Sequence, residues 1–151
     1  MRHNESKHLG TPASSLSADT SVLFGQVRFN RLLDIRREYA EEGVARLTLE
    51  VRPELTNNFH AAHGGVVMTM LDGVMSSAAL SKSGFTRAVV TVDMSTQFIK
   101  PARGRLVAYG QAVGGGRSLC LCEASIKDET GDTVAKAMGT FKYVNPSPEI
   151  T

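Results

Sequence analysis

Only two cysteines, five prolines, no tryptophan and a net charge of +2 occur in these 151 residues, and each scarcity excludes something. Two cysteines cannot build the disulfide framework of a small secreted fold. Cys120 and Cys122 stand two apart in a strand-like run, so their side chains share a face and a bond between them is geometrically poor. Both are expected as reduced core residues. No CxxC pair and no His/Cys cluster with metal-ligand spacing occurs, which predicts no structural metal. The small net charge does not mark a nucleic-acid binder. Residues 1–21 are polar and rich in Ser and Thr, without the apolar run of a secretory leader. The one long weakly charged stretch is broken by Asp72 and by Gly, Ser and Thr, which argues against a membrane span. The expectation is a cytoplasmic chain with a loose tail at 1–21, a single domain at 22–144 and a C-terminal tail at 145–151; the length leaves no room for a second core.

The charge that is present is unevenly spread. Lys82, Arg87, Lys100, Arg103, Arg105 and Arg117 face Asp93 alone between residues 82 and 117, so this segment carries +5 and the rest −3. Such a segment suits an anionic ligand such as a nucleotide phosphate, or is simply a solvated basic surface.

Periodicity gives the elements. Residues 22–30 suit a short helix or an irregular lead-in, residues 32–39 an extended segment and 41–43 (EEG) a turn. Over 44–51, Ala45, Leu47, Leu49 and Val51 alternate with Arg46, Thr48 and Glu50, the period of a half-buried strand. A loop follows at 53–62, then an apolar helix at 64–80 that stops near Ser83 and Gly84. Further strands are predicted at 88–98, 105–113, 118–127 and 133–144. In the first of them Ala88, Val90, Val92, Met94 and Phe98 share one face, with Thr91, Asp93, Ser95 and Gln97 opposite. Short connections imply antiparallel pairing. One helix and five or six strands make an α+β layer fold, and a helix without a polar stripe needs a wrapping sheet, a second subunit, or both to cover it.

The helix also holds the best clue to function. Asp72 is its lone ionisable group between residues 64 and 80. A mid-helix Asp has poor propensity, the adjacent Gly73 costs about 1 kcal/mol relative to Ala, and an unpaired buried charge costs more than either. Local sequence in conflict with its element points to a functional site.

Asn57, His63, Gly64, Gly65, Leu71 and Asp72, an NxxxxxHGG motif followed by LD, resemble the signature of the hotdog-fold acyl-CoA thioesterases, and within them the PaaI-type phenylacetate-pathway group related to 4-hydroxybenzoyl-CoA thioesterases. The resemblance covers roughly residues 32–144, including VVTVDMSTQFIKPA and the late GGGRSLCLCEASIKDETGDTVAKAMGTFKYV. It implies an antiparallel sheet wrapped around the helix and a homodimer with active sites between subunits, expected to associate into a homotetramer. The substrate it implies is an acyl-CoA, releasing an aryl or medium-chain acid, with no cofactor beyond the CoA of the substrate itself. One departure stands out. Family members usually carry Gly three residues before the motif His, where this chain has His60, a residue that tolerates positive φ less freely and is otherwise read as a surface loop residue.

The chemistry suits the residues. A helix beginning at Gly64 offers unpaired first-turn N–H groups and its dipole to a thioester oxygen and the oxyanion it becomes; the resemblance assigns the donor to Gly64, with Gly65 behind it for close packing. Asp72 lies eight residues on, about 12 Å along the helix, too far to serve the same carbonyl. The resemblance answers this by placing Asp72 of one chain opposite the Gly64 helix start of its neighbour, as general base on water or as nucleophile. It gives Asn57 the positioning of water or carboxylate, and Thr91 matches the Ser/Thr that holds the water, although alternation puts Thr91 on the polar side of its strand. His63 is read as orienting the loop through a ring hydrogen bond rather than as an acid–base group. Met68, Met70 and Met75 have core spacing, yet flexible Met suits an acyl pocket, and Met68 is the candidate. Arg117 and Arg103 are the candidates for CoA phosphates, or else solvated turn residues.

Three other readings compete. A non-catalytic acyl-CoA-binding hotdog module would keep the pocket without turnover. A hotdog dehydratase would need Asp/His or His/Glu dyads not found in their usual settings. A purely structural helix would pair Asp72 with a basic residue across an interface and leave no open cleft beside it.

Overall fold

The computed structural model describes residue 20 and residues 22–146; the tails expected at 1–21 and 145–151 otherwise lie outside the described residues. Residues 22–26 are helical and lead into α1 (Arg28–Leu33). Leu32 and Leu33 therefore complete a helix, not the extended segment expected at 32–39. The switch occurs at Asp34, whose φ of 55° closes the helix in the left-handed region, a conformation Asp tolerates better than most residues. β1 (Arg36–Glu41) and β2 (Val44–Glu50) then form a hairpin. Its turn residues, Glu42 and Gly43, have φ of 48° and 83°, the two positive values of a tight primed turn.

α2 (Gly64–Lys82) carries the apolar stretch on to the stop expected at Ser83 and Gly84. Its stop is a Schellman arrangement: the Phe85 N–H donates to the Leu80 carbonyl and the Gly84 N–H to the Ser81 carbonyl, with Gly84 at φ 63°. The remaining strands are β3 (Ala88–Phe98), β4 (Arg105–Gly115), β5 (Leu119–Lys127) and β6 (Thr133–Val144). They join β1 and β2 in one antiparallel sheet of order β1-β2-β4-β5-β6-β3.

The sheet curves around α2, which touches all six strands. Val67, Met70, Leu71, Val74, Met75 and Ala78 of the helix are buried with Leu47, Leu49, Leu106, Ile126 and Phe141 from the strands. Gly110 on β4 permits the close approach: a Cβ there would sit 2.6 Å from the Val74 carbonyl oxygen. By length and composition α2 could cross a membrane, but 56% of that window is buried inside the domain, and the sheet covers its apolar sides. A stripe at four-residue spacing, Met68, Asp72, Ser76 and Leu80, is only partly covered.

β3 departs from the expected alternation. A register shift between Thr91 and Asp93 marks a bulge at Val92, and an extra residue exchanges the faces beyond it. Val89 and Met94 pack against the core, whereas Val90 and Val92 are 49% and 57% exposed; they do not share the face of Met94. Thr91 accordingly turns inward with Val89. Among the described residues β3 also pairs on one side only, with β6, and presents an eleven-residue open edge.

Cys120 and Cys122 are free and buried, with their Sγ atoms 3.7 Å apart. Burial pushes the Cys122 thiol up to about 12. Ellman's reagent should therefore find no fast-reacting thiol in the native protein at pH 8 and two per chain in guanidinium. Rapid labelling of the native state would contradict this packing.

Candidate active site

The mid-helix acid acquires its partner from β3. The Thr91 hydroxyl donates to Asp72 Oδ1 at 2.6 Å, a contact made possible by the bulge that turns Thr91 inward. Asp72 is half-buried and forms no ion pair among the described residues. It opens onto a cavity of about 1000 Å³ along the uncovered stripe of α2. Met68, Ser76 and Leu80 line it from the helix, Val89 and Met94 from β3, and Leu23, Phe24 and Val27 from the lead-in segment. An open cleft with no cation clamped on the carboxylate is the opposite of what a sealed structural ion pair within the chain would produce.

The other predicted group gathers at the start of α2. His63 is the N-cap, and its Nδ1 accepts from the Gly65 N–H at 2.9 Å. The His63 carbonyl accepts from the N–H groups of Val66 and Val67. Of the first-turn donors this leaves the Gly64 N–H without a partner among the described residues. A Cβ on Gly65 would lie 3.1 Å from His63 Nδ1, so a larger residue there would press on the capping ring. The Phe98 ring stands beside Gly64, 3.5 Å from where a Cβ would be, so the free donor lies next to an apolar wall. Asn57 Oδ1 accepts from the Phe59 and Ala61 N–H groups at 2.9 and 3.2 Å. That fixes a loop in which His60 adopts φ 57°, the left-handed conformation a glycine would supply more easily. The Asn57 carbonyl oxygen is thus committed to the loop, and its amide N–H groups are what it can offer a ligand.

Within one chain these two groups stay apart. Neither Asn57, His63, Gly64 nor Gly65 lines the Asp72 cavity, in keeping with the helical rise of about 12 Å between Gly64 and Asp72. Arg103 donates to the Phe59 carbonyl at 3.0 Å and buttresses the Asn57 loop. Arg117 is exposed at the β4–β5 turn. Elsewhere in the basic segment, Lys100 is paired with Asp132 at 2.6 Å and Arg105 with Glu38 at 3.2 Å. No cluster of His, Cys, Asp and Glu able to hold a metal occurs among the described residues.

Sequence-based reasoning does not single out Arg37, Phe24 or Phe85, all of which line the cavity. Their signal is weak because they come from separate elements, and it would have required knowing that the lead-in segment folds over α2.

The thioesterase superfamily profile matches residues 59–135, spanning the Asn57–His63 loop's end, the whole of α2 and most of the sheet. The chain belongs to the thioesterase superfamily. Its relatives include a provisionally named esterase of Halobacterium salinarum, 30% identical over 122 residues, 73% of this chain and 80% of that one. A provisionally named esterase of Mycobacterium tuberculosis is 32% identical over 109 residues, 69% and 77% of the two chains. The solved structure of that Mycobacterium tuberculosis protein superposes with a TM-score of 0.75 at 26% identity, covering 81% of this thioesterase and all of the other chain. The PaaI protein from the phenylacetic acid degradation operon of E. coli gives a TM-score of 0.81 at 19% identity, over 91% and 99% of the chains, a likeness of fold. This thioesterase therefore has the hotdog fold, with its single long helix held by the six-stranded antiparallel sheet.

Proposed function

We propose that this thioesterase is a PaaI-type acyl-CoA hydrolase of the cytoplasm, working as a homodimer whose active sites lie between subunits. The observation that carries the proposal is Asp72, held at 2.6 Å by Thr91 and open to a cavity large enough for an acyl group. The free Gly64 N–H supplies the complementary donor. Because one chain keeps the two apart, Asp72 of one subunit meets Gly64 of the other. Asp72 takes a proton from water that attacks the thioester carbon, or attacks it directly to form an anhydride that water opens. In both routes negative charge grows on the carbonyl oxygen facing the Gly64 N–H, and the C–S bond breaks to release the CoA thiolate.

The open edge of β3 supports dimerisation. An exposed unpaired strand of this length is a template for another strand, and β3 of a second copy would continue the sheet while covering Val90 and Val92. Further association into a tetramer has a candidate surface on the outer face of the sheet. Tyr109, Leu121 and Met138 are 37%, 43% and 63% exposed there, and a hollow of about 560 Å³ includes Tyr109 and Met138.

A thiol-release assay with acyl-CoA esters from acetyl through aryl to palmitoyl tests the activity. Steady turnover of an aryl or medium-chain ester is the expected result. Tight binding of these esters without release of CoA would replace the enzyme with a non-catalytic acyl-CoA-binding module.

A further inference from the structure

We propose that Arg37 receives a carboxylate carried at the far end of the acyl group, which makes thioesters of dicarboxylic acids a substrate class of this protein. The proposal rests on the thioesterase reading of the Asp72 cavity and adds a second anchor to it. Arg37 on β1 reaches the same cavity as Asp72. Its guanidinium carbon stands 5.0 Å from the centroid of the Phe24 ring and 5.6 Å from that of Phe85, a cation held between two aromatic faces. One terminal nitrogen donates to Ser77 Oγ at 3.4 Å and the other to the Thr20 carbonyl. The Nε is buried and has no partner among the described residues, and Arg37 takes part in none of their ion pairs.

A half-buried charge with neutral partners only is costly, because rings and single hydroxyls replace little of the hydration it gives up. Burial lowers its pKa to about 10, so it remains charged at neutral pH and lacks an anion. Among the described residues the cavity has the same deficit: Arg37 and Arg87 are its cations and Asp72 its one carboxylate. Ser77 follows Asp72 by five residues, about 7.5 Å along the helix axis, which leaves room for a short carbon chain between the reacting thioester and the guanidinium. The cavity wall around this span is largely apolar, with Leu23, Val27, Met68 and Leu80, while Gly73 and Ser76 are the lining residues between the two positions on the helix. A methylene chain ending in a single carboxylate fits that sequence of surfaces better than a hydrated phosphate of CoA.

The experiment measures kcat/KM for adipoyl-CoA and hexanoyl-CoA, together with calorimetric affinities for both, in the wild type, Arg37→Met and Arg37→Lys. The wild type should favour adipoyl-CoA. Arg37→Met should lower the adipoyl-to-hexanoyl ratio roughly 10- to 100-fold, the range of one charge-assisted hydrogen bond, with Arg37→Lys retaining part of the preference. A wild-type ratio at or below one, or a ratio that Arg37→Met leaves in place, overturns the proposal. Pantetheine thioesters of the same two acids separate the possible anions: if the Arg37 effect vanishes with them, the cation reads a CoA phosphate and the carboxylate assignment falls. If neither ester is hydrolysed, the thioesterase reading fails by itself, and the ratio of affinities still decides the role of Arg37. Should Arg37→Met not fold, the wild-type ratio and Arg37→Lys carry the same decision.

Discussion

Replacing Asp72 by Ala should lower kcat for the best acyl-CoA substrate roughly 10²- to 10⁴-fold, the usual contribution of a positioned base or nucleophile, while KM changes far less. The same substitution should not weaken the fold. Asp is a poorer mid-helix residue than Ala by about half a kcal/mol or more, and the one side-chain bond lost, to Thr91, joins groups that are not deeply buried. A thermal melt should therefore place Asp72→Ala level with the wild type or about 2 °C above it. Activity and stability moving in opposite directions is the mark of a residue kept for chemistry at the expense of its element. If Asp72→Ala retains full turnover, the acid has been misassigned. If it lowers Tm by several degrees along with activity, Asp72 serves the architecture instead.

The elements that could be read from the sequence are those whose side chains meet a single environment. β2 is one: Ala45, Leu47 and Leu49 are buried on the face that strict alternation assigns them. The His63–Gly64 helix start is another, since a small-residue step before an apolar run has few structural meanings. β3 could not be read in the same way. Its apolar residues alternate without interruption from Val90 through Met94, and nothing in the residue types announces that Val92 bulges out of register with β6. That slip brings Thr91 to Asp72, so the one side-chain hydrogen bond that defines the candidate acid's surroundings depends on a feature of strand pairing and not of composition. Leu32 and Leu33 show the complementary failure: two residues compatible with a strand are retained in a helix because Asp34 accepts a positive φ. Arg37 is less visible still. Its significance arises from rings at positions 24 and 85, thirteen and forty-eight residues distant in chain order from it, brought together only when the lead-in segment lies over α2.

Gly64→Pro should reduce kcat about 10²- to 10³-fold, the loss seen when one oxyanion donor is removed, without unfolding α2. Gly64 is the first residue of the helix, the position where proline is favoured because its missing N–H has no intrahelical partner. The preceding residue is already suitable: His63 has φ −56° and ψ 140°, within the extended region that a following proline requires. An added Cβ meets the Phe98 ring at an ordinary 3.5 Å. The substitution therefore deletes the one first-turn N–H left free by the His63 cap and little else. Gly64→Ala, which keeps the N–H, should lose much less, and equal losses in the two variants would show that bulk and not the donor matters. Combining this variant with Asp72→Ala tests the intersubunit arrangement directly. If Asp72 acts with the Gly64 of a neighbouring chain, a mixed dimer of one Asp72→Ala subunit and one Gly64→Pro subunit contains one intact site and one doubly damaged site. Equal amounts of the two inactive proteins, allowed to exchange subunits at random, should then recover about a quarter of wild-type activity. Sites built within single chains would recover none, because every site would still carry one of the two lesions.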